Sequence, residues 1–311
     1  MTDEYSGAEL IWELDAQLTE SPVLDDSQRR VLFVSKSPEA PRGHLHAYGI
    51  DDGSRKTWDF PERTASLGLC RSGRLLVALE RRVAFFDTET GTLTDLSDPI
   101  PEPPGNVLND GRPGPDGCYW VGTVDVRRPL LHEGITVSDP QGSLYRLSPD
   151  GVLERRSAGY LSFNGAAFSP DGRTLYCADT AVGHVDAWDL DPASGSMSGR
   201  RRLVTLSAAD GRPDGAAVDI EGNYWSAGIT AGCINQISPA GEVKSRIATP
   251  CAAPTMPCFS GDSLYFTSMR GVHRDAARDL DQRPHNVAGL FRMPSPAVGA
   301  PLGVFSDAES K

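Results

Sequence analysis

Six times along the chain a turn built on Gly, Asp or Ser runs into a strand of alternating β-branched and aromatic residues. The copies are "DDSQRRVLFVS" from Asp25, "RSGRLLVALE" from Arg71, "GPDGCYWVGT" from Gly114, "SPDGRTLYCADT" from Ser169, "IEGNYWSAG" from Ile220 and "SGDSLYFTS" from Ser260. Their starts are separated by 46, 43, 55, 51 and 40 residues. Between consecutive copies lies a second, plainer hairpin, as in "GSLYRLSPDGVLERRS" from Gly142 and "GCINQISPAGEVKSRI" from Gly232. Each period of roughly 40 to 55 residues therefore holds about four strands, the size of one propeller blade. Six periods predict an all-β fold: a six-bladed β-propeller over residues 1–311, with 1–15 as an N-terminal segment and 271–290 as a loop insertion.

The alternatives fail on element count. A sandwich uses fewer strands, and an α/β fold needs amphipathic helices of about ten residues or more between its strands. The best helical candidate, "HRDAARDLDQ" from His273, is short and highly charged, and reads as a loop with one or two helical turns. The 32 Gly and 24 Pro supply the many turns that short strands need.

Charge and cysteine usage remove whole classes of function. With 30 Lys and Arg against 42 Asp and Glu, the formal charge is −12, and no long basic run offsets it, so no nucleic-acid partner is expected. The start "MTDEYSGAELIWELDAQ" has neither a basic leader nor an apolar core, and nowhere do 18 apolar residues run together. A soluble, cytoplasmic protein without membrane contact is expected, as a monomer or a homodimer. The six cysteines form no C-x-x-C pair, and four of them sit in or beside strand patterns, so buried, inert thiols are expected.

In a propeller the inner strands of all blades converge on a central channel, so residues distant in sequence meet at one mouth. Just ahead of four of the repeated turns stand Glu20 in "LTESPVLDDSQ", Asn109 in "NVLNDGRPGPDG", Asn164 in "LSFNGAAFSPDG" and Asp214 in "GRPDGAAVDIEG". Two readings of these residues compete. Asn-Gly and Asp-Gly are strong hairpin signals in any β protein. Yet the turns of these blades already exist downstream, at Asp116-Gly117, Asp171-Gly172 and Glu221-Gly222. Two carboxylates and two amides converging on a channel also suit a divalent cation, which would offset the cost of burying the carboxylates.

These motifs, "ESPVLD", "LNDGRPGPDGCYWVGT", "FNGAAFSPDGRTLYCADT", "RPDGAAVDIEGNYWSAG" and "LYFTSMRG", stand in the order seen in a known family. The chain resembles the senescence marker protein, regucalcin and gluconolactonase family of six-bladed propellers, from about Glu20 to "AGLFRM" near Met293. The resemblance implies one divalent ion (Ca, Zn, Mn, Mg or Fe) held at the channel mouth by Glu20, Asn164 and Asp214. It further implies that Asn109 lies close by and that Asp214 acts as general base. The expected activity is a metal-dependent hydrolase that opens a lactone to a hydroxy acid, with a small molecule as substrate. Asp214 would deprotonate the attacking water, and the Asn109 amide would donate to the developing oxyanion.

The chain departs from the family pattern at three places. Val107 stands where sugar-lactone members usually carry a basic residue, "VDVRR" from Val124 replaces glutamates, and Ser35 followed by Lys36 replaces an aspartate after "LFV". The substrate expected is thus less polar than a simple sugar lactone. Two alternatives remain: another metal-assisted reaction on a secondary-metabolite intermediate, and a non-catalytic propeller that binds a metal or ligand. Other chemistries lack their motifs. "GSMSG" from Gly195 has Met197 at the nucleophile place, and "LHEGIT" from Leu131 lacks the second histidine of a zinc helix. His44 and His46 in "GHLHAY" fall on one strand face, where a partly packed surface competes with zinc ligation.

Overall fold

The computed structural model describes residues 5–37, 42–127, 141–271 and 283–307. Its strands form six four-stranded antiparallel sheets. The first strand, β1 (Glu9–Leu14), is followed by blade one: β2 (Leu18–Asp25), β3 (Arg30–Lys36), β4 (Gly43–Gly49) and β5 (Arg55–Phe60). Blade two is β6 (Ser66–Leu69), β7 (Leu75–Ala78), β8 (Val83–Phe86) and β9 (Leu93–Asp95). Blade three is β10 (Asn106–Pro113), β11 (Tyr119–Asp125), β12 (Gly142–Leu147) and β13 (Leu153–Tyr160). Blade four is β14 (Phe163–Phe168), β15 (Thr174–Asp179), β16 (His184–Leu190) and β17 (Met197–Thr205). Blade five is β18 (Pro213–Val218), β19 (Tyr224–Gly228), β20 (Cys233–Ile237) and β21 (Val243–Ala248). Blade six takes β22 (Pro254–Ser260), β23 (Ser263–Ser268), β24 (Ala288–Pro294) and, from the other end of the chain, β1. A single 3-10 turn, Asp26–Gln28, is the one helical element among the described residues. The helical turns expected near His273 lie outside the described residues.

The six inner strands β2, β6, β10, β14, β18 and β22 each pack against the next, and β22 packs back on β2. That closed ring is the channel wall. The core lies between blades rather than along the axis, because each sheet buries both faces against its neighbours. Between blades two and three, Leu76, Val83, Tyr119, Val121 and Tyr145 form one cluster, which Phe305 of the C-terminal tail completes. Trp120 and Phe163 fill the next gap, and Trp225, Phe266 and Phe291 do the same between blades five and six.

The ring closes through backbone pairing and through two threonines. β1 pairs antiparallel with β24, which gives the last sheet its outer strand. Thr19, at the start of β2, donates its hydroxyl toward the Ser268 and Gly289 carbonyls, and Thr255 donates to the Thr19 carbonyl at 2.7 Å. Blades one and six, 249 residues apart in sequence, are thereby joined next to Glu20.

All six cysteines are free and buried. Burial raises the thiols of Cys118, Cys233 and Cys258 to about 11 and that of Cys251 to about 12. They pack as small hydrophobes, and none carries thiolate chemistry at neutral pH.

Candidate active site

The four polar residues singled out in the sequence all sit where an inner strand breaks its regular register. The pairing of β2 with β3 shifts between Glu20 and Val23, that of β10 with β11 between Leu108 and Gly111, that of β14 with β15 between Asn164 and Ala167, and that of β18 with β19 between Pro213 and Ala216. A bulge adds a residue on one side of the ladder and re-aims its side chain. Here it turns Glu20, Asn109, Asn164 and Asp214 toward one cavity. The glycines read as surplus to hairpin turns belong to these bulges.

Two of the bulges show why small residues follow the polar one. Ser21 and Gly165 take positive φ, at 54° and 59°. A Cβ on Gly165 would lie 2.1 Å from the Tyr224 hydroxyl and 2.8 Å from the Asp214 carbonyl. Gly165→Ala is therefore expected to lower stability by about 2 to 4 kcal/mol, from left-handed backbone strain plus overpacking. Urea unfolding measures this, and an unchanged midpoint would show that the bulge relaxes.

β6 is the inner strand with no shift: Ser66 to Leu69 pair regularly with Ala78 to Leu75. β22 shifts between Pro254 and Met256, and its buried Thr255 spends its hydroxyl on Thr19 and Thr267. Blades two and six thus add no acid or amide from their inner strands.

The cavity holds about 270 Å³ and is lined by Glu20, Asn109, Asn164 and Asp214, by the cations Lys36 and Arg63, and by apolar Leu18, Val124, Val126, Ile229 and Met269. A larger cavity of about 680 Å³ is lined by the C-terminal halves of the same inner strands and by residues 298–304 of the tail. Its walls are mainly apolar, and the clustered acids, amides and buried lysine belong to the smaller one.

Hydrogen bonds tie the cluster together. The Asn109 Nδ2 donates to the Phe163 carbonyl at 2.9 Å and to Asn164 Oδ1 at 2.7 Å. Asn164 Nδ2 in turn donates to Thr180 Oγ1 and to Asp214 Oδ1, both at 2.7 Å. The Thr180 hydroxyl stands 3.4 Å from the same Asp214 oxygen. Lys36 Nζ donates to Glu20 Oε2 at 2.6 Å, with both side chains only 7% exposed. Asn109 was expected to donate to an oxyanion, but both its N–H groups are spent on protein partners, so its free group is the carbonyl oxygen.

Burial dominates the electrostatics. It raises the Asp214 carboxyl well above the usual range, helped by the nearby charges of Glu20 and Asp110, while Lys36 opposes. Burial also lowers the Lys36 ammonium, an effect that Glu20 partly reverses. Behind the cavity Asp110 is 2% exposed, with one oxygen held by the Ala166 N–H at 3.1 Å and the other unpartnered. Its carboxyl too is raised, by burial against the pull of Arg112.

Three residues that mark departures from the family pattern find their places. Val107 is 2% exposed and does not line the cavity, whereas its cross-strand partner Val124 does. Ser35 is buried against His46, whose Nε2 lies 2.8 Å from its hydroxyl. Lys36 is the residue that reaches the site, and Arg63, from the loop ahead of β6, joins it. Nothing in the sequence reading anticipated Arg63.

Whether a divalent ion suits this cluster can be judged from the donor atoms. Of the three expected ligands two are carboxylates, Glu20 and Asp214, and the third, Asn164, is an amide. Of the expected ligands, Glu20 Oε2 accepts from Lys36, Asn164 Oδ1 from Asn109, and Asp214 Oδ1 from Asn164. The buried Lys36 ammonium repels a second cation, and among the described residues the charges of Glu20 and Asp214 that would attract one are already matched by Lys36 and Arg63. As arranged, the residues do not fit the ion.

His44 and His46 make no metal pair either. His46 Nδ1 faces Thr57 Oγ1 at 2.9 Å, so both its ring nitrogens are engaged, and His44 Nδ1 faces Asp59 at 2.8 Å. Burial, and then the His44 charge, lower His46 to about 3. Below pH 6.5 the unfolded chain protonates this ring while the folded protein does not, so stability falls as the pH drops through that window. Between pH 7 and 5 this ring alone contributes a loss of about 2 kcal/mol, at 1.36 kcal/mol per unit, while the raised carboxyls of Asp214 and Asp110 act in the opposite direction. Chemical denaturation of wild type and His46→Gln at both pH values checks this, with the wild type expected to lose about 2 kcal/mol more on acidification than the variant.

The fold and the cluster define a class: a six-bladed propeller whose inner-strand bulges gather acids and amides at one mouth of the channel. Residues 18–270 match the SMP-30/Gluconolactonase/LRE-like region, and the chain belongs to that family. It is similar to L-arabinolactonase of Azospirillum brasilense, at 35% identity over 245 residues, 77% of this chain and 77% of that protein. It is also similar to 6-deoxy-6-sulfogluconolactonase of Pseudomonas putida, at 33% identity over 269 residues, 84% of this chain and 87% of that protein. Among solved structures, regucalcin of Agrobacterium tumefaciens strain C58, described as a calcium-binding protein, superposes with a TM-score of 0.81 at 25% identity, covering 97% of both chains.

Proposed function

We propose that the protein hydrolyses a lactone, adding water across a cyclic ester to give the open hydroxy acid. The observation that carries this reading is the buried Asp214 carboxylate, which lines the cavity while one of its oxygens is fixed by Asn164 and Thr180. Membership of a family whose similar members are named lactonases supports it, and those names point to a small-molecule substrate.

Asp214 acts as general base. It takes a proton from water as the water oxygen bonds to the ester carbonyl carbon, and the carbonyl oxygen gains the electron pair. When the tetrahedral species collapses, the ring C–O bond breaks and the departing alkoxide takes the proton back from Asp214. The network from Asn109 through Asn164 holds the carboxylate in place, so little reorganisation is needed at the moment of reaction. The Asn109 carbonyl oxygen accepts from the water or from a substrate hydroxyl.

The walls set the substrate class. Beside the six polar and charged lining residues, Leu18, Val124, Val126, Ile229 and Met269 present apolar surface that offers ring hydroxyls on that side no partner. The substrate proposed is a lactone poorer in hydroxyl groups than an aldonolactone. A pH-stat panel of sugar and non-sugar lactones tests this, with kcat/KM expected to be higher for hydroxyl-poor rings. Faster turnover of an aldonolactone would reject that preference, and no acid release from any ring would reject the reaction.

A further inference from the structure

We propose that Lys36 Nζ is the cation of this site, standing among the residues where a divalent ion was expected, and that it polarises the ester carbonyl by a direct hydrogen bond. Its catalytic part rests on the lactone reading; its charge part rests on the side chains alone.

Four observations converge on Lys36. Its ammonium is seated on Glu20 at 2.6 Å with both side chains 7% exposed, so it is a buried ion pair rather than a surface contact. Among the described residues, the titratable side chains lining the cavity are Glu20 and Asp214 against Lys36 and Arg63, two formal charges of each sign. The chain therefore neutralises its own acids, and an added divalent ion would leave buried positive charge uncompensated. Thirdly, one named oxygen of each expected ligand already accepts a hydrogen bond. Finally, the amide expected to donate to the oxyanion is turned the other way and Asn164 spends its own N–H groups on Thr180 and Asp214, which leaves Lys36 and Arg63 as the side-chain donors among the described lining residues.

An ammonium has three N–H donors, and Glu20 takes one. The others serve the carbonyl oxygen as negative charge develops there, while Glu20 is a positioning residue that holds the side chain. No proton leaves Lys36 and no co-reactant besides water enters.

The test titrates EDTA-dialysed wild type, Lys36→Met and Lys36→Arg with Mn²⁺, Zn²⁺ and Ca²⁺ by calorimetry, and follows lactone turnover before and after chelation. The wild type and Lys36→Arg are expected to bind no ion tighter than millimolar, and wild-type turnover should survive chelation. Lys36→Met should gain a one-ion site at least about 100-fold tighter, because Glu20 and Asp214 are left without their lysine. A second change, Glu20→Gln, should abolish that gain. Without added metal, kcat/KM of Lys36→Met should fall by about 10²- to 10³-fold, the range for losing one oxyanion donor. One equivalent of a divalent ion bound at micromolar affinity by the wild type, or turnover lost to chelation and restored by metal, would overturn the proposal. If Lys36→Met does not fold, the wild-type and Lys36→Arg titrations still decide it. Absence of turnover on every lactone would reject the ring-opening reading instead, and the titrations would judge the cation separately.

Discussion

Replacing Asp214 by Asn should reduce kcat/KM on the best lactone by about 10³-fold or more while leaving the fold intact. The amide keeps the carboxylate's size, so the contacts with Asn164 and Thr180 lose geometry only slightly. What disappears is the base. General-base catalysis contributes about 10²- to 10⁴-fold, and among the described residues no second carboxylate is poised to replace it. Glu20 is committed to Lys36, and Asp110 is held by the Ala166 backbone behind the cavity. The variant should also be no less stable than wild type, because Asp214 is a buried carboxyl raised by desolvation and charging it costs stability. Steady-state kinetics beside thermal unfolding separates the two effects. Equal activity in the variant would place the base elsewhere; a large fall in Tm would make any lost activity uninformative about catalysis.

Removing residues 1–15 should lower stability by about 5 kcal/mol or more and Tm by about 10 °C or more. Leu10, Ile11, Trp12 and Leu14 all pack on the blade-six and blade-one core, with Trp12 edge-on to Phe33 at 5.6 Å. These four side chains are half-buried, so at about 1 kcal/mol each they account for most of that figure, and the lost backbone pairing of β1 with β24 adds the rest. The truncation also leaves β24 as an open edge carrying Leu290 and Phe291, a template for pairing with another chain. Association seen by light scattering is expected along with the lowered Tm. An unchanged Tm would mean that blade six holds with three strands.

The fold was legible because each blade repeats the same local grammar, a Gly, Asp or Ser turn feeding an apolar alternating strand. Closure of the ring was not legible. "ELIWEL" is a short strand pattern whose partner lies at the other end of the chain, and nothing local in a sequence marks a pairing across that separation. The same holds for the tail, where Phe305 fills a gap between blades two and three from a segment without strand character.

At the site, Glu20, Asn109, Asn164 and Asp214 could be found because a bulge needs a distinctive residue after the one it re-aims, as Gly165 does after Asn164. The balance of charge was harder to see. Lys36 showed only as a departure in "LFVSK", and Arg63 stands in a loop with no repeating counterpart. Which end of the Asn109 amide faces the substrate depends on the Phe163 carbonyl and on Asn164, contacts across blades that spacing does not reveal.

Ring opening in ¹⁸O-labelled water with the best lactone of the panel tests addition of water to the ester carbonyl most directly. Mass spectrometry of the product should find one labelled oxygen, located in the new carboxylate, because the attacking water oxygen bonds to the carbonyl carbon. A product without label would mean elimination rather than hydrolysis, and label on the alcohol carbon would mean cleavage of the other C–O bond; either result would contradict the role given to Asp214.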